Sequence, residues 1–416
     1  MNLLLQPSIC NPQSDIKITG SKSETNRLLL LQALFPNITI ENISNSDDSE
    51  VMQMALFNTQ HPTPNTQVID IHHAGTAMRF LTAFFAIQEN RSVTLTGSPR
   101  MKERPIKILV DALRQLGAKI EYVENEGFPP IKITGQKLIK SNVSLPASVS
   151  SQYISALLLI ASKLENGIEL RLEGQITSVP YIQMTLALLN EIGVETSFIG
   201  NIIIVKPNTQ HLIPKTLTVE SDWSSASYFY SIVALAKEGT TITLSSYKEN
   251  SLQGDSALAE IYSKLGVETK FKENRIILVR QNIFKLETLN LELNNCPDIA
   301  QTIVVTCLGS GIGCHLTGLH TLKIKETDRL EALRIELTKL GANIFVTNES
   351  LTLEPSTDVT SNVKIATYND HRMAMAFAPL ALKVPIIIEN AEVVSKSFPD
   401  FWNDLKSLGF GMSEID

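Results

Sequence analysis

Several short stretches of this sequence hold residues able to bind anions or move protons. In Gly20-Ser21-Lys22-Ser23, followed by Asn26 and Arg27, a glycine lets backbone approach a ligand, a helix start offers free amides, and two cations add charge. That set suits a phosphate, although the spacing of a Walker A loop is absent and a capping serine with solvated cations explains the stretch as well when taken alone. Ala74-Gly75-Thr76-Ala77-Met78-Arg79 repeats the logic, again with a simple helix cap as the rival account. The preceding His72 and His73 have no third ligand at metal spacing, which argues against zinc. Arg100, Lys102 and Arg104 lie between Pro99 and Pro105. A charge run is usually a solvated face, but a loop stiffened by prolines also makes a preorganised anion clamp. Ser150, Ser151 and Gln152, and the run from Ser178 to Tyr181, offer neutral hydrogen-bonding groups for sugar hydroxyls or phosphate oxygens. Asp298 follows Pro297 at a helix start, where the dipole favours a carboxylate and where a plain N-cap is the bland reading. The stretch Lys323 to Arg329 sets Lys325 beside Glu326, the way acid and base groups are poised. Asn369-Asp370-His371-Arg372 and Lys396 complete the set.

The elements that must position these residues recur. Six times a strand-like run leads through a short polar or glycine-containing loop into a helix. With Ser23, Thr76, Ser151, Ser224, Asp298 and His371 as equivalent first-turn positions, the intervals are 53, 75, 73, 74 and 73 residues. A second marker runs in phase, an amphipathic helix ending in Leu-Gly or Ile-Gly at Gly117, Gly193, Gly266, Gly341 and Gly409. Each unit therefore reads as strand, helix, strand, helix and one or two further strands, an α/β pattern. The last unit runs out of chain soon after Gly409, so its closing strands are expected from Asn2 to Gln6 and Asp15 to Thr19. The expected organisation is two domains of three units each: residues 20–220, and residues 1–19 with 221–416. Two chain crossings would join them and form a hinge around a cleft. Cations then recur at one register, Lys22 with Arg27, Arg79, Arg329 and Arg372, with Arg104 and Lys396 alongside, which points to a ligand carrying more than one negative group.

Length and composition bound the rest. A chain of 416 residues has room for two or three domains. With 43% hydrophobic and 19% charged residues it is ordinary globular material, and 36 basic against 43 acidic side chains, net −7, argue against a uniformly basic nucleic-acid binder. No apolar run approaches the ~18 residues of a membrane span, and the start MNLLLQP lacks the basic flank of a signal peptide, so the cytoplasm is the expected compartment. Cys10, Cys296, Cys307 and Cys314 form no CxxC pair and read as reduced packing thiols.

Taken together, GSKS-x-x-NR, AGTAMR, PRMKERP, SSQ, PYI, PDIA, KIKETDRL, NDHRMAM and KSFPD, in order from Gln6 to Trp402, closely resemble the 5-enolpyruvylshikimate-3-phosphate synthase family. The resemblance implies two inside-out α/β domains, each of three repeated βαβαββ-type units, closing around shikimate 3-phosphate and phosphoenolpyruvate. It implies shikimate 3-phosphate contacts from Lys22, Ser23, Arg27, Ser150, Ser151, Gln152, Ser178, Tyr181, Asp298, Thr321 and Lys325. Phosphoenolpyruvate contacts would be Lys22, Gly75, Arg104, Gln152, Arg329, Arg372 and Lys396. It implies a reaction in which the substrate 5-hydroxyl adds to the carbon bearing phosphate, the methylene carbon is protonated, and the tetrahedral adduct loses phosphate. Asp298 is the expected base, with Glu326 and Lys22 competing to protonate the methylene. The family implies no metal or organic cofactor, no nucleic-acid or membrane partner, and a monomer. Three positions depart from its pattern: His73 for Asn, Phe80 for Pro and Thr321 for Asn. The first two bear on the pocket shape beside Gly75, while Thr321 keeps a hydroxyl donor. A UDP-N-acetylglucosamine enolpyruvyl transferase would carry a reactive Cys in the loop occupied by GSPRMKERP, and no Cys lies between 10 and 296. A non-catalytic phosphate-binding module would not need Asp298 and Glu326 beside the cations.

Overall fold

The computed structural model describes residues 1–6, 13–57, 67–147, 150–174, 176–208, 214–282 and 287–415. The chain divides into two compact units, one made of Met1–Gly20 with Glu220–Asp416 and the other of Ser21–Val219.

One motif builds both. In Ser21–Val219, strand Gln67–Asp70 leads into helix Gly75–Ala86, strand Ser92–Thr96, helix Lys107–Gln115 and the strands Lys119–Tyr122 and Ile131–Thr134. The first two strands pair in parallel, which the intervening helix makes possible, and the last two fold back as an antiparallel pair. Residues 142–205 and 288–353 repeat that order and pairing. Along strand Ile168–Glu173 buried and exposed residues alternate strictly, so one sheet face meets the core and the other meets solvent. The crossover helices are different. Gly75–Ala86 and Trp223–Leu235 are buried at every residue, so their hydroxyls need partners inside the core. Ser227 pairs with Thr302 at 3.0 Å, and Thr306 donates to Ser231 at 2.8 Å. The five Leu-Gly or Ile-Gly glycines all take positive φ, from 79° at Gly266 to 106° at Gly117, the conformation that closes a helix without a Cβ penalty.

Two strands are exchanged at the crossings. Strand Gln13–Ile16 leads along the chain into helix Lys22–Leu34 but pairs in parallel with Thr241–Ser245, in its own unit. Strand Lys215–Thr218 leads into helix Trp223–Leu235 but pairs in parallel with Ile38–Glu41. The two repeats that look contiguous at KITGSKS and LTVESDW are therefore each split between units. This corrects the expectation that an Asp15 to Thr19 strand closes the last sheet. That sheet is completed by Asn2–Gln6, which lies between Ile386–Ile388 and Gly411–Ile415, while Gln13–Ile16 is committed to Thr241–Ser245.

Cys296, Cys307 and Cys314 are free and buried, while Cys10 lies outside the described residues. Among the described residues no helix is long and apolar enough to cross a membrane.

Candidate active site

In the unit containing Glu220–Asp416, the side chains converge on Arg329. It opens helix Arg329–Lys339, whose N-cap Asp328 accepts from the Glu331 amide, and it is 2% exposed. Its Nε donates to Asp370 at 2.7 Å, one terminal nitrogen to Asp298 at 2.8 Å and the other to Glu326 at 2.8 Å. Three carboxylates thus share one guanidinium, the planar fork that only arginine offers. Asp298 also faces Lys325 at 3.2 Å and Arg372 at 3.4 Å. Burial works to raise the Asp298 carboxyl, but Lys325, Arg372 and Arg329 outweigh it and hold the group well below the usual carboxylate range. Burial likewise opposes the charge on Arg329, and Asp370, Glu326 and Asp298 more than restore it.

The chain is shaped to aim these groups. Tyr368 and Asn369 both take positive φ, 53° and 54°, just before Asp370. Fully buried Glu336 fixes that bend by accepting from the Tyr368 hydroxyl at 2.6 Å and the Ala366 amide at 3.2 Å. Asp370 caps helix His371–Phe377 by accepting from the Arg372 amide, and Lys396 donates to the Asn369 carbonyl at 2.6 Å. Arg372 also donates to the Asp298 carbonyl at 3.3 Å and to Ser224 Oγ at 3.2 Å. Asp298, Lys325, Glu326, Arg329, Arg372 and Lys396 therefore belong to one connected network. The capping reading of Asp298 is corrected: it sits inside the short turn Pro297–Ile299, whose N-cap is Cys296, and its carboxylate faces cations. Thr321 lies in the turn His320–Ile324 with its hydroxyl oxygen buried and unpartnered.

The Ser21–Val219 unit holds three groupings. Arg27 is buried, donating to Thr185 Oγ1 at 2.8 Å, Ser155 Oγ at 3.0 Å and the carbonyls of Ser23 at 2.7 Å and Tyr181 at 3.3 Å. Burial lowers it to about 10, against the pull of Tyr181 and Glu24, so it remains a cation at neutral pH. Its guanidinium lies 5.4 Å from the Phe80 ring centroid, so the residue that departs from the family pattern serves as a platform for Arg27. The second grouping surrounds Gly75, where an added Cβ would stand 2.7 Å from terminal nitrogens of both Arg104 and Arg79. Arg79 donates to the Gly75 carbonyl at 2.7 Å, and Gln152 donates to Thr76 at 3.0 Å. Ser150 caps helix Ser151–Ala161 by accepting from the Gln152 amide. Lys22 forms the third with Asp48 at 3.3 Å, and His73 lies 3.9 Å from the same carboxylate. Ser178 precedes helix Val179–Glu191 in the left-handed conformation, an uncommon one for serine.

Sequence reasoning gave no role to Asp48, Asp370 or Asp255. Asp370 stood in a motif without an assigned partner, and Asp48 stood in none of the motifs. Asp255 lies outside the repeat register altogether. It is 1% exposed and hydrogen-bonded by Ser224. Burial raises it to about 7, with Asp298 adding to the effect.

Comparison with known proteins points to one family. The sequence matches the family EPSP synthase (3-phosphoshikimate 1-carboxyvinyltransferase) over residues 33–405. It is 47% identical over 405 residues to a 3-phosphoshikimate 1-carboxyvinyltransferase of Bacteroides fragilis, covering 96% of each chain. It is 36% identical to a protein of the same name from Shewanella pealeana, covering 98% of this chain and 100% of that one. The fold matches the EPSP synthase of Acinetobacter baumannii with TM-score 0.79 at 21% identity over 99% of this chain and 100% of that one. It also matches an enolpyruvyl transferase of Streptomyces tendae with TM-score 0.75 at 13% identity over 100% of this chain and 98% of that one. A mixed α/β fold of small repeated sheets, clustered cations with carboxylates among them, and matches spanning nearly the whole sequence lead to one assignment: the chain belongs to the EPSP synthase family, the 3-phosphoshikimate 1-carboxyvinyltransferases of aromatic amino-acid biosynthesis.

Proposed function

We propose that the two sets of side chains act on one pair of substrates, the repeats forming two inside-out domains. Lys22, Ser23, Arg27, Ser150, Ser151, Gln152, Ser178, Tyr181, Asp298, Thr321 and Lys325 hold shikimate 3-phosphate. Lys22, Gly75, Arg104, Gln152, Arg329, Arg372 and Lys396 hold phosphoenolpyruvate. The observation that carries this reading is Asp298 surrounded by Lys325, Arg329 and Arg372. A carboxylate so placed is a weak base until an anion takes up part of that positive charge. Phosphoenolpyruvate supplies the anion, its carboxylate and phosphate drawing on Arg372 and on the one Arg329 N–H that the carboxylates leave over. Asp298 then gains basicity only in the loaded enzyme. It accepts the proton of the shikimate 3-phosphate 5-hydroxyl as that oxygen bonds to the phosphate-bearing carbon of phosphoenolpyruvate. The methylene carbon takes a proton from Glu326 or Lys22. Elimination reverses that proton transfer and expels phosphate, whose leaving charge the arginines and lysines stabilise. The testing experiment is phosphate release from phosphoenolpyruvate with shikimate 3-phosphate or UDP-N-acetylglucosamine as acceptor. Release with the first alone is expected, and release with the second alone overturns the acceptor assignment.

Binding of both substrates should make the protein more compact, because their anionic groups neutralise clustered cations that otherwise repel one another. Small-angle scattering is expected to give a smaller radius of gyration with shikimate 3-phosphate and a phosphoenolpyruvate mimic. An unchanged radius at saturation counts against closure.

Gly75→Ala tests the pocket. The new methyl group displaces the guanidinium ends of Arg104 and Arg79, flexible atoms whose shift is cheaper than that of backbone, with overpacking of about 1 to 3 kcal/mol. Glyphosate, which in this family occupies the phosphoenolpyruvate site and is the longer molecule, should lose more. Its inhibition constant is expected to rise at least about tenfold, and the KM for phosphoenolpyruvate by less. Equal losses would mean a general distortion of the loop.

A further inference from the structure

The repeat register marks Ser224 as the counterpart of Ser23, Thr76, Ser151, Asp298 and His371, yet the mechanism above gives it no task. The structure shows where it points. Ser224 Oγ donates to Asp255 Oδ2 and accepts from an Arg372 terminal nitrogen at 3.2 Å. The same nitrogen lies 3.4 Å from Asp298 Oδ2. Asp255 stands in the turn Gly254–Ala257, with its second oxygen, Oδ1, buried and without a hydrogen-bond partner. That turn is tied to the start of helix Trp223–Leu235 by Gln253, which accepts from the Trp223 amide at 2.9 Å and donates to the Ser221 carbonyl at 2.8 Å. A buried carboxyl with an unsatisfied oxygen costs stability, so its retention here calls for another use.

We propose that Asp255 is a positioning residue for Arg372, acting through the Ser224 hydroxyl, and sets the affinity for phosphoenolpyruvate. The proposal rests on the assignment of Arg372 to that substrate. A serine hydroxyl has one proton and two lone pairs. While Asp255 is ionised it takes that proton, which turns a serine lone pair toward Arg372 and fixes the guanidinium beside Asp298. Once protonated, Asp255 can donate to Ser224 instead, and the serine proton is freed to rotate toward the guanidinium. The charged and titratable groups facing Asp255 are Asp298 and Arg372, Asp222 before helix Trp223–Leu235, and the Cys296 thiol. The carboxylates favour its protonation and Arg372 its ionisation.

The test is steady-state kinetics of Asp255→Ala, Asp255→Asn, Ser224→Ala and Arg372→Gln, each with its unfolding midpoint. Asp255→Ala and Ser224→Ala are expected to raise the KM for phosphoenolpyruvate at least about tenfold, the effect of one hydrogen bond to a charged group, with the KM for shikimate 3-phosphate unchanged. Asp255→Asn keeps an acceptor for Ser224 and should recover most of that loss. It should also abolish the component of wild-type kcat/KM for phosphoenolpyruvate that rises with pH through neutrality as Asp255 ionises. Ionisation of the substrate's own phosphate stays in both profiles and is subtracted by the comparison. If Arg372→Gln raises the KM for phosphoenolpyruvate while Asp255→Ala and Ser224→Ala do not, this proposal fails alone. If Arg372→Gln leaves that KM unchanged, the Arg372 assignment fails and takes the proposal with it. Equal rises in both KM values with a lowered midpoint would show a merely structural role and overturn it as well.

Discussion

Asp298→Asn should fold and bind both substrates yet turn over at least about a hundredfold more slowly, the lower range of what a positioned base contributes. The amide oxygen can still accept from Arg329, which donates to Asp298 Oδ1 at 2.8 Å, so the network keeps its geometry while losing a proton acceptor. The comparison separates chemistry from packing because Arg329 retains Glu326 and Asp370 in the variant. A midpoint near wild type with kcat down by two orders of magnitude or more is the expected pair of results. Turnover within a fewfold of wild type removes Asp298 from the reaction. The rate should also depend on which anion occupies the site, since the basicity of Asp298 is set by how much of its three-cation shell the ligand draws away.

Arg329→Met should cost more stability than any other single change in the cluster. It leaves Asp298, Glu326 and Asp370 facing a buried gap, and loss of one partner from a buried ion network costs about 3 to 5 kcal/mol. For a domain of this size the midpoint should fall by about 6 to 20 °C. The pH dependence has a defined sign. In the wild-type protein Asp298 is depressed, so its contribution is present above the ordinary carboxylate range and is lost only as pH falls through the lower folded-state value. In Arg329→Met the Asp298 carboxylate keeps Lys325 and Arg372 but loses its third cation, so its pKa rises toward the ordinary value and it contributes less stability than in the wild type. That difference is fully present above the ordinary carboxylate range and disappears as pH falls through the two folded-state values. The gap in midpoint between the two proteins should therefore hold constant above that range and narrow as pH falls below it, and a gap that stays constant in acid would mean that Met fails by size rather than by charge.

Features set by local rules could be read from the sequence. The five helix-closing glycines announce themselves because each needs positive φ, a property of the residue and its neighbours alone. The polar groups at Lys22, Gly75, Asp298 and Arg372 stood out for a similar reason, since each falls within one residue of the repeat register near a helix start, whereas Lys325 and Arg329 lie outside that register. The exchange of Gln13–Ile16 and Lys215–Thr218 was not legible, because strand partners are chosen by tertiary pairing and both strands precede the expected helix in sequence. Asp255 was hidden for another reason. Nothing in QGDSALAE distinguishes a surface turn from one folded against Ser224, and only burial turns an ordinary acid into a group that responds near neutral pH.

The pairing of Asn2–Gln6 with Gly411–Ile415 bears on how the chain is made. During synthesis the Leu3-Leu4-Leu5 segment leaves the ribosome without either neighbour, and it keeps two bare hydrogen-bonding edges until Ile386–Ile388 and then Gly411–Ile415 have emerged. Bare apolar edges recruit other nascent chains, so this segment is open to wrong pairing throughout translation. Residues 2 and 415 are also direct partners in the register, about 5 Å apart as neighbours in a sheet. A circular permutant that joins them through a short linker and opens the chain at an exposed turn would translate the two strands consecutively as a hairpin and spare the first of them its wait.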